Sequence, residues 1–271
     1  MHVNHFSYGL LTPLLSYTLS VLGCLLGLIC TVRARNASDN ARRGRWLLLA
    51  AWAIGGTGIW VMHFMAMIGF SIPGVSIRYD IALTAASWIT AVVVVAVGLF
   101  IVGFGRPLAI KIILAGIITG VGVAAMHYTG MAAMRIPATV TYDRNLVAAS
   151  VAIAVVAATV ALWFTVTLRR GWVLMIAALI MGVAVNGMHF TGMYAMRVSD
   201  LRFEPVSGIL PVAFLAPIVV FVVAVLVVLM VALLNRSGSG DETRRPPRVE
   251  AEPARPNFFT PRAVQGPLAD S

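Results

Sequence analysis

The chain has 271 residues, of which 60% are hydrophobic and only 11% are charged, and its formal net charge is +10. Soluble domains carry about 25% charged residues, so a chain this apolar, with a mean hydropathy of +0.92, is predicted to reside in a lipid bilayer. Its basic residues fall in short loops and in the last part of the sequence. This distribution argues against nucleic-acid binding and indicates membrane topology instead.

Seven stretches reach about 20 mostly apolar residues, the length that a membrane-spanning helix requires. In chain order they are Tyr8–Val32, Trp46–Phe70, Asp80–Phe104, Leu108–Met134, Leu146–Leu168, Trp172–Met196 and Gly208–Leu234. Short loops that contain Arg, Gly and Pro separate them. The sequence therefore predicts an all-α membrane protein with seven transmembrane helices.

The basic residues are unequally shared between the two sides of these spans. The loops after spans one, three and five carry nine Lys and Arg residues, whereas the opposite loops carry five, namely Arg78, Arg135, Arg144, Arg197 and Arg202. Because cytoplasmic loops are enriched in Lys and Arg, residues 1–7 are predicted to lie outside the cell and the C-terminus in the cytoplasm.

Three regions follow from this reading: residues 1–7 as an extracytoplasmic N-terminus, 8–235 as the seven-span domain, and 236–271 as a tail. The tail is rich in Ser, Gly, Pro, Arg and Glu, which predicts a disordered cytoplasmic segment. A segment of this length is too short for a catalytic domain. The sequence also contains no nucleophile–base pair, phosphate loop or carboxylate dyad, so we expect no enzymatic activity.

A histidine motif occurs three times near the ends of spans two, four and six. Its histidines are His63, His127 and His189, which are 64 and 62 residues apart. A glycine precedes each histidine by seven residues: Gly56, Gly120 and Gly182. The repeat unit is two helices long (spans 2–3, 4–5 and 6–7, plus an extra first helix). All copies should therefore share one orientation, as in parallel repeats about an axis along the membrane normal.

Helical spacing places a methionine one turn after each histidine, on the same face. The small residue between the two, Ala66, Gly130 or Gly192, allows helix backbones to approach closely. Counting back from the predicted helix ends puts each histidine about 10–12 Å below the outer boundary of the membrane. Polar side chains at that depth are costly and usually mark a function.

Three imidazoles and several thioethers facing one axis predict a metal centre, and this donor set suits copper, above all Cu(I). The predicted ligands are His63, His127, His189, Met67, Met131 and Met193, with Met62, Met126, Met188, Met134 and Met196 as weaker candidates. A haem with a His or His/Met axial pair is the competing interpretation.

Other polar residues near the motifs either orient the imidazoles or make ordinary interhelical hydrogen bonds. They are Thr129, Thr191, Tyr128, Tyr194 and Asn186. His2 and His5 precede the first span. They either belong to a flexible terminus, cap the site from the aqueous side or serve as metal-entry ligands.

The string Met126-His127-Tyr128-Thr129, with its relatives at Met62–Met65 and Met188–Thr191, resembles the MHYT-domain family over about residues 5–235. The resemblance implies a multi-pass sensor of the bacterial plasma membrane that binds copper near the outer face. Through copper, such a sensor would detect oxygen, carbon monoxide or nitric oxide. Many members carry cytoplasmic cyclic-di-GMP enzymes or histidine kinases; no output domain follows here, so a separate cytoplasmic partner is implied.

This chain departs from the family pattern in two places. Copy one reads Met-His-Phe-Met, and copy three has no counterpart of Pro73 and Pro137. A membrane sensor is the leading hypothesis; copper acquisition, storage or delivery is the alternative, and an assembly subunit without metal is the third. A transporter would also need metal ligands in the cytoplasmic half of the spans. That half contains almost none, with Met175 and Met181 as the exceptions.

Overall fold

The computed structural model describes residues 4–106, 108–202 and 205–234. In this part of the chain, six helices are long and apolar enough to cross a membrane. They are α1 (Leu11–Arg35), α2 (Asn40–Ile68), α3 (Ile81–Gly103), α4 (Ala109–Ala132), α5 (Arg144–Thr167) and α6 (Gly171–Tyr194). The prediction of a multi-pass helical membrane protein is confirmed.

A 3₁₀ turn (Pro211–Phe214) and helix α7 (Leu215–Leu234) occupy the place of the seventh predicted span. The apolar stretch there, Pro211–Val225, is shorter than the other six, so the count of seven spans stays a prediction. Residues Met1–Met230 form one compact unit. The second unit, Val231–Ser271, is described only where it completes α7, and the predicted tail at 236–271 lies outside the described residues.

The six long helices form a closed ring. Each packs against its neighbour in sequence, and α6 packs back against α1. The histidine motifs lie where α2, α4 and α6 finish, at one end of the bundle, which we call the histidine end. The arrangement of the repeats about an axis along the membrane normal stays a prediction.

Short strands cover the histidine end, where the sequence analysis predicted helix or loop. They are β1 (Arg78–Tyr79), β2 (Met134–Arg135), β3 (Thr139–Tyr142) and β4 (Met196–Ser199). Strand β1 pairs antiparallel with β2, and β3 with β4. Helices α2, α4 and α6 consequently finish two residues earlier than predicted, because the chain turns into a strand or a tight turn there. The purely α-helical prediction therefore needs this correction.

Aspartates begin the helices that leave this end of the bundle. Asp80 accepts a hydrogen bond from the Leu83 N–H, and Asp143 accepts from the N–H groups of Asn145 and Leu146. Such N-caps satisfy backbone donors that the first helical turn leaves unpaired. Asp80 also pairs with Arg135 on β2, and Asp143 lies 3.7 Å from Arg197 on β4. Each cap thus ties one repeat to the next.

Helix α2 contains a π-helical segment, Trp52–Val61, ahead of its histidine. Segments of this kind are rare and usually one turn long, so ten residues is unusual. A Cβ added at Gly23 of α1 would lie 2.3 Å from the Gly58 backbone nitrogen, which shows that the two helix backbones touch here. The small residues of this segment let α1 and α2 pack closely.

Candidate metal centre

The three motif histidines meet at one buried point. His63, His127 and His189 each lie five residues before the end of α2, α4 and α6, and their exposed fractions are 1%, 0% and 1%. The Nδ1 atom of His63 lies 2.9 Å from Nδ1 of His189 and 3.2 Å from Nδ1 of His127. The convergence on which the metal prediction depends is therefore present.

The rings are nearly perpendicular to one another rather than stacked. Their planes cross at 70° for His63 and His127, 81° for His63 and His189, and 90° for His127 and His189. The centroids are 4.9–5.2 Å apart. Such an arrangement turns one nitrogen edge of each ring toward a shared point. Five residues separate each histidine from the end of its helix, which corresponds to about 7.5 Å along the helix axis. The depth of the histidines below the membrane boundary stays a prediction.

The imidazole nitrogens are only partly hydrogen-bonded. A neutral imidazole nitrogen offers either one N–H or one lone pair, so Nδ1 of His63 cannot bond fully to both neighbours. The Nε2 atoms of all three histidines are buried and have no partner in the described part of the chain. Buried polar groups without partners cost free energy. An ion that accepts the three Nδ1 lone pairs would satisfy the nitrogens at the centre of the cluster and would leave the three Nε2 atoms as buried N–H donors.

Glycines make room for the imidazoles. A Cβ added at Gly130 would lie 2.3 Å from Nε2 of His63, and one added at Gly192 would lie 2.2 Å from Nε2 of His127. Each of these glycines stands three residues after the histidine of its own copy. The imidazole of one repeat therefore rests on the glycine of the next. The sequence analysis gave these glycines a role in helix approach; their contact partner is a histidine ring.

The predicted methionine ligands are all buried, but they do not all lie on helices. Met67, Met131 and Met193 follow their histidines by one turn in α2, α4 and α6 and are 1–2% exposed, as are Met62, Met126 and Met188. Met134 and Met196 lie in β2 and β4, beyond the helix ends. Their predicted placement in the last turns of the helices that form spans four and six is therefore wrong. The ligand role of the methionines stays a prediction.

The polar residues proposed to orient the imidazoles bond elsewhere. The Tyr128 hydroxyl pairs with the Ser150 hydroxyl at 2.7 Å, and the Thr191 hydroxyl donates to the Gly187 carbonyl. Asn186 donates to the carbonyl of Gly182 and accepts from Ser16. In the described part of the chain, none of the five candidates, Thr129 and Tyr194 included, hydrogen-bonds to an imidazole. Their bonds are ordinary contacts within or between helices.

His5 lies over the histidine end of the bundle. Its ring packs against Tyr194 and Phe70, with centroids 4.6 Å and 5.4 Å away. The neighbouring Asn4 exchanges backbone hydrogen bonds with Ser71, which holds this segment in place. Partial burial lowers the pKa of His5 below its ordinary value, so the ring is neutral at pH 7. This position fits the cap interpretation, whereas His2 lies outside the described residues.

An apolar cavity of about 60 Å³ lies one helical turn from the histidines, toward the opposite end of the bundle. The residue four positions before each histidine lines it: Ile59, Val123 and Val185. Met188 adds a thioether next to His189. This cavity was not predicted from the sequence. The one sequence feature that points to it is a branched aliphatic residue at the same position of all three repeats.

These features define a multi-pass helical membrane protein whose repeated motif builds a shared buried histidine centre. The sequence model of the MHYT family, described as "Bacterial signalling protein N terminal repeat", matches residues 56–116, 120–178 and 182–244. The chain therefore belongs to the MHYT family. Each match begins at the glycine that precedes a motif histidine by seven residues, so this part of the sequence prediction is confirmed.

Three curated relatives illustrate the similarity. The bifunctional diguanylate cyclase/cyclic di-GMP phosphodiesterase MucR of Pseudomonas aeruginosa is 41% identical over 157 residues, or 56% of this chain and 23% of that protein. The cyclic di-GMP phosphodiesterase NbdA of the same organism is 37% identical over 188 residues, or 66% of this chain and 24% of that protein. An uncharacterized signaling protein of Caulobacter vibrioides is 33% identical over 178 residues, or 65% of this chain and 22% of that protein.

The chain thus spans about a quarter of the length of these relatives. No solved structure matches it. Together with the family match, the relatives support a membrane protein with a sensory role in signalling.

Proposed function

We propose that this protein is a membrane sensor in which His63, His127 and His189 bind copper near the outer face of the plasma membrane. The metal would bind oxygen, carbon monoxide or nitric oxide, and a separate cytoplasmic partner would read the change. The observation that carries this proposal is the convergence of the three Nδ1 atoms, at 2.9 Å and 3.2 Å from the central one.

The donor set fits a soft metal ion. Nitrogens bound to one ion at about 2.0–2.1 Å lie no more than about 4 Å apart, and both measured Nδ1 separations fall within that limit. Imidazole and thioether donors favour copper, and the cluster contains no carboxylate among the described residues that would favour Ca²⁺ or Mg²⁺. Bound copper supplies a redox-active Lewis acid with affinity for small diatomic ligands.

The protein surroundings suit a small apolar ligand. Burial of the three imidazoles keeps bulk water away from them. A cavity needs about 10–15 Å³ of volume measured in this way to hold one water molecule, so the neighbouring cavity of about 60 Å³ has room for a diatomic molecule. Cofactor-sized pockets measure about 300–1,000 Å³, so this cavity argues against haem between the helices.

The copper-handling alternative fits less well. A transport path would need metal ligands toward the other end of the bundle. Met175 is 43% exposed on the surface of α6, and Met181 lines the apolar cavity. These two separated thioethers do not form a second ligand cluster in the described part of the chain, so we favour the sensor. The names of the relatives suggest that the cytoplasmic partner acts in cyclic di-GMP signalling.

The test is to purify the full chain in detergent and to measure its metal content and its visible spectrum together. We expect bound copper in the wild type, its loss in His127→Ala, and its retention in the matched histidine control His5→Ala. A Soret band in the visible spectrum would show that the bound group is haem and not copper. Absence of metal from the wild type, or unchanged copper in His127→Ala, would overturn the proposal.

A further inference from the structure

A basic pocket of about 250 Å³ opens at the end of the bundle opposite the histidines. Its walls are the last turns of α1, α3 and α5 and the first part of α2. Three arginines line it: Arg35 in α1, Arg43 in α2 and Arg169 just after α5. The remaining wall includes apolar side chains such as Leu99 and Val102. The pocket therefore combines concentrated positive charge with an apolar floor.

Arg35 has unused hydrogen-bond donors inside this pocket. Its Nη2 donates to the Leu168 carbonyl, but its Nε and Nη1 are buried and have no hydrogen-bond partner in the part of the chain that the structure describes. A guanidinium group stays protonated at any pH that a protein experiences. Arg35 as a whole is half-buried, but leaving two of its donor nitrogens buried and unpaired costs free energy, so an anion that accepts from them would stabilise it.

No described carboxylate supplies that anion. The ion pairs among the described residues join Asp39 to Arg42, Asp80 to Arg135 and Asp143 to Arg197. Arg43 donates to a backbone carbonyl, that of Ala34, at 3.4 Å. The three pocket arginines therefore bring three positive charges together without a compensating charge in residues 4–106, 108–202 and 205–234.

We propose that this pocket binds a phosphate group carried by an anionic lipid headgroup or by a soluble phosphate compound. Guanidinium groups bind phosphate oxygens through paired, charge-assisted hydrogen bonds, which would use the free donors of Arg35. Basic pockets between helices on the cytoplasmic side of membrane proteins bind anionic headgroups, and this end of the bundle is the predicted cytoplasmic one. The apolar floor accommodates the glycerol and the start of the acyl chains.

The site does not depend on the metal centre, and its test uses the full chain in neutral detergent. The thermal unfolding midpoint is measured with phosphatidylglycerol against phosphatidylcholine, and with inorganic phosphate against chloride at equal ionic strength. The variants are Arg35→Gln and, at the pocket rim, Arg169→Gln. Arg170→Gln is the matched control, since Arg170 is the exposed neighbour of Arg169 and does not line the pocket.

We expect a saturable rise of the midpoint in the wild type and in Arg170→Gln, and its loss in Arg35→Gln and Arg169→Gln. A rise with phosphatidylglycerol alone identifies a lipid headgroup; a rise with both anions shows that phosphate suffices. An equal rise in the Arg35 and Arg169 variants, or no rise in the wild type, overturns the proposal.

Discussion

At the scale of single residues, two glycines of α6 have opposite surroundings although they lie only five positions apart. A Cβ at Gly192 would lie 2.2 Å from Nε2 of His127, whereas a Cβ at Gly187 would meet nothing within 4 Å. Both glycines occupy helical backbone, where alanine is intrinsically the better residue. The contact with the imidazole therefore decides the effect of a methyl group, and the pair forms a matched comparison.

We predict that Gly192→Ala displaces the His127 ring. Overpacking of this kind should cost about 1–3 kcal/mol of stability, and copper affinity should fall about 10–100-fold, as when a group that positions a metal ligand is changed. Gly187→Ala should keep copper and gain about 0.5–1 kcal/mol. The measurements are thermal unfolding and copper titration of both variants. Equal behaviour of the two would contradict the packing of His127 on Gly192.

At the scale of secondary-structure elements, Asp80 holds the start of α3 and the strand β2 together. Its carboxylate accepts from the Leu83 N–H and pairs with Arg135. The hydrogen bond from Arg135, followed by that from Leu83, lowers the pKa of Asp80 below its ordinary value. A carboxyl with a lowered pKa stabilises the fold fully above its ordinary pKa of about 4, and this contribution disappears as the pH falls through the lowered value.

Acid should therefore weaken the wild type more than Asp80→Asn. Asparagine still caps the helix, so this variant removes only the charge. We expect the two unfolding midpoints to differ most above the ordinary pKa of about 4 and to converge as the pH falls through the lowered pKa of Asp80. In Arg135→Gln, the same pH-dependent difference should shrink. A constant difference between wild type and Asp80→Asn across this range would show that the pair does not stabilise the folded chain.

At the scale of the whole molecule, the features that follow from the repeat could be predicted from the sequence. The contacts that depend on how the helices rotate against one another could not. The shared context of His63, His127 and His189 was enough to predict their convergence, since three copies of one packing unit place equivalent residues at equivalent depths. The contact of each imidazole with the glycine of the next copy depends on how the helices rotate against one another, which spacing does not determine. The same holds for Arg35, whose pocket also needs α3 and α5, which lie far from Arg35 in sequence.

The strands at the histidine end were missed for a different reason. The stretch Thr139–Tyr142 has the β-branched residues of a strand, but its partner Met196–Ser199 follows α6, far along the chain. The histidine motif continues into this partner strand, so the sequence predicted that Met196 lies in the last turn of a helix. Met196 pairs with Tyr142, 54 residues earlier, and this long-range pairing is the tertiary information that ended the helix early.

The orientation of the whole molecule is the last prediction, and the two ends of the bundle offer positions to test it. Ala41 lies at the exposed start of α2 beside Arg42 and Arg43, and Thr139 is exposed in β3 at the histidine end. If the arginine-rich loops face the cytoplasm, a membrane-impermeant maleimide should label Thr139→Cys in intact cells and Ala41→Cys only after lysis. The native cysteines, Cys24 and Cys30, are 0% and 1% exposed, so the unmodified chain is a silent control. Labelling of Ala41→Cys in intact cells would show that the orientation is the reverse of the predicted one and that the histidine centre lies near the cytoplasm. A sensor of that orientation would receive its ligand from inside the cell.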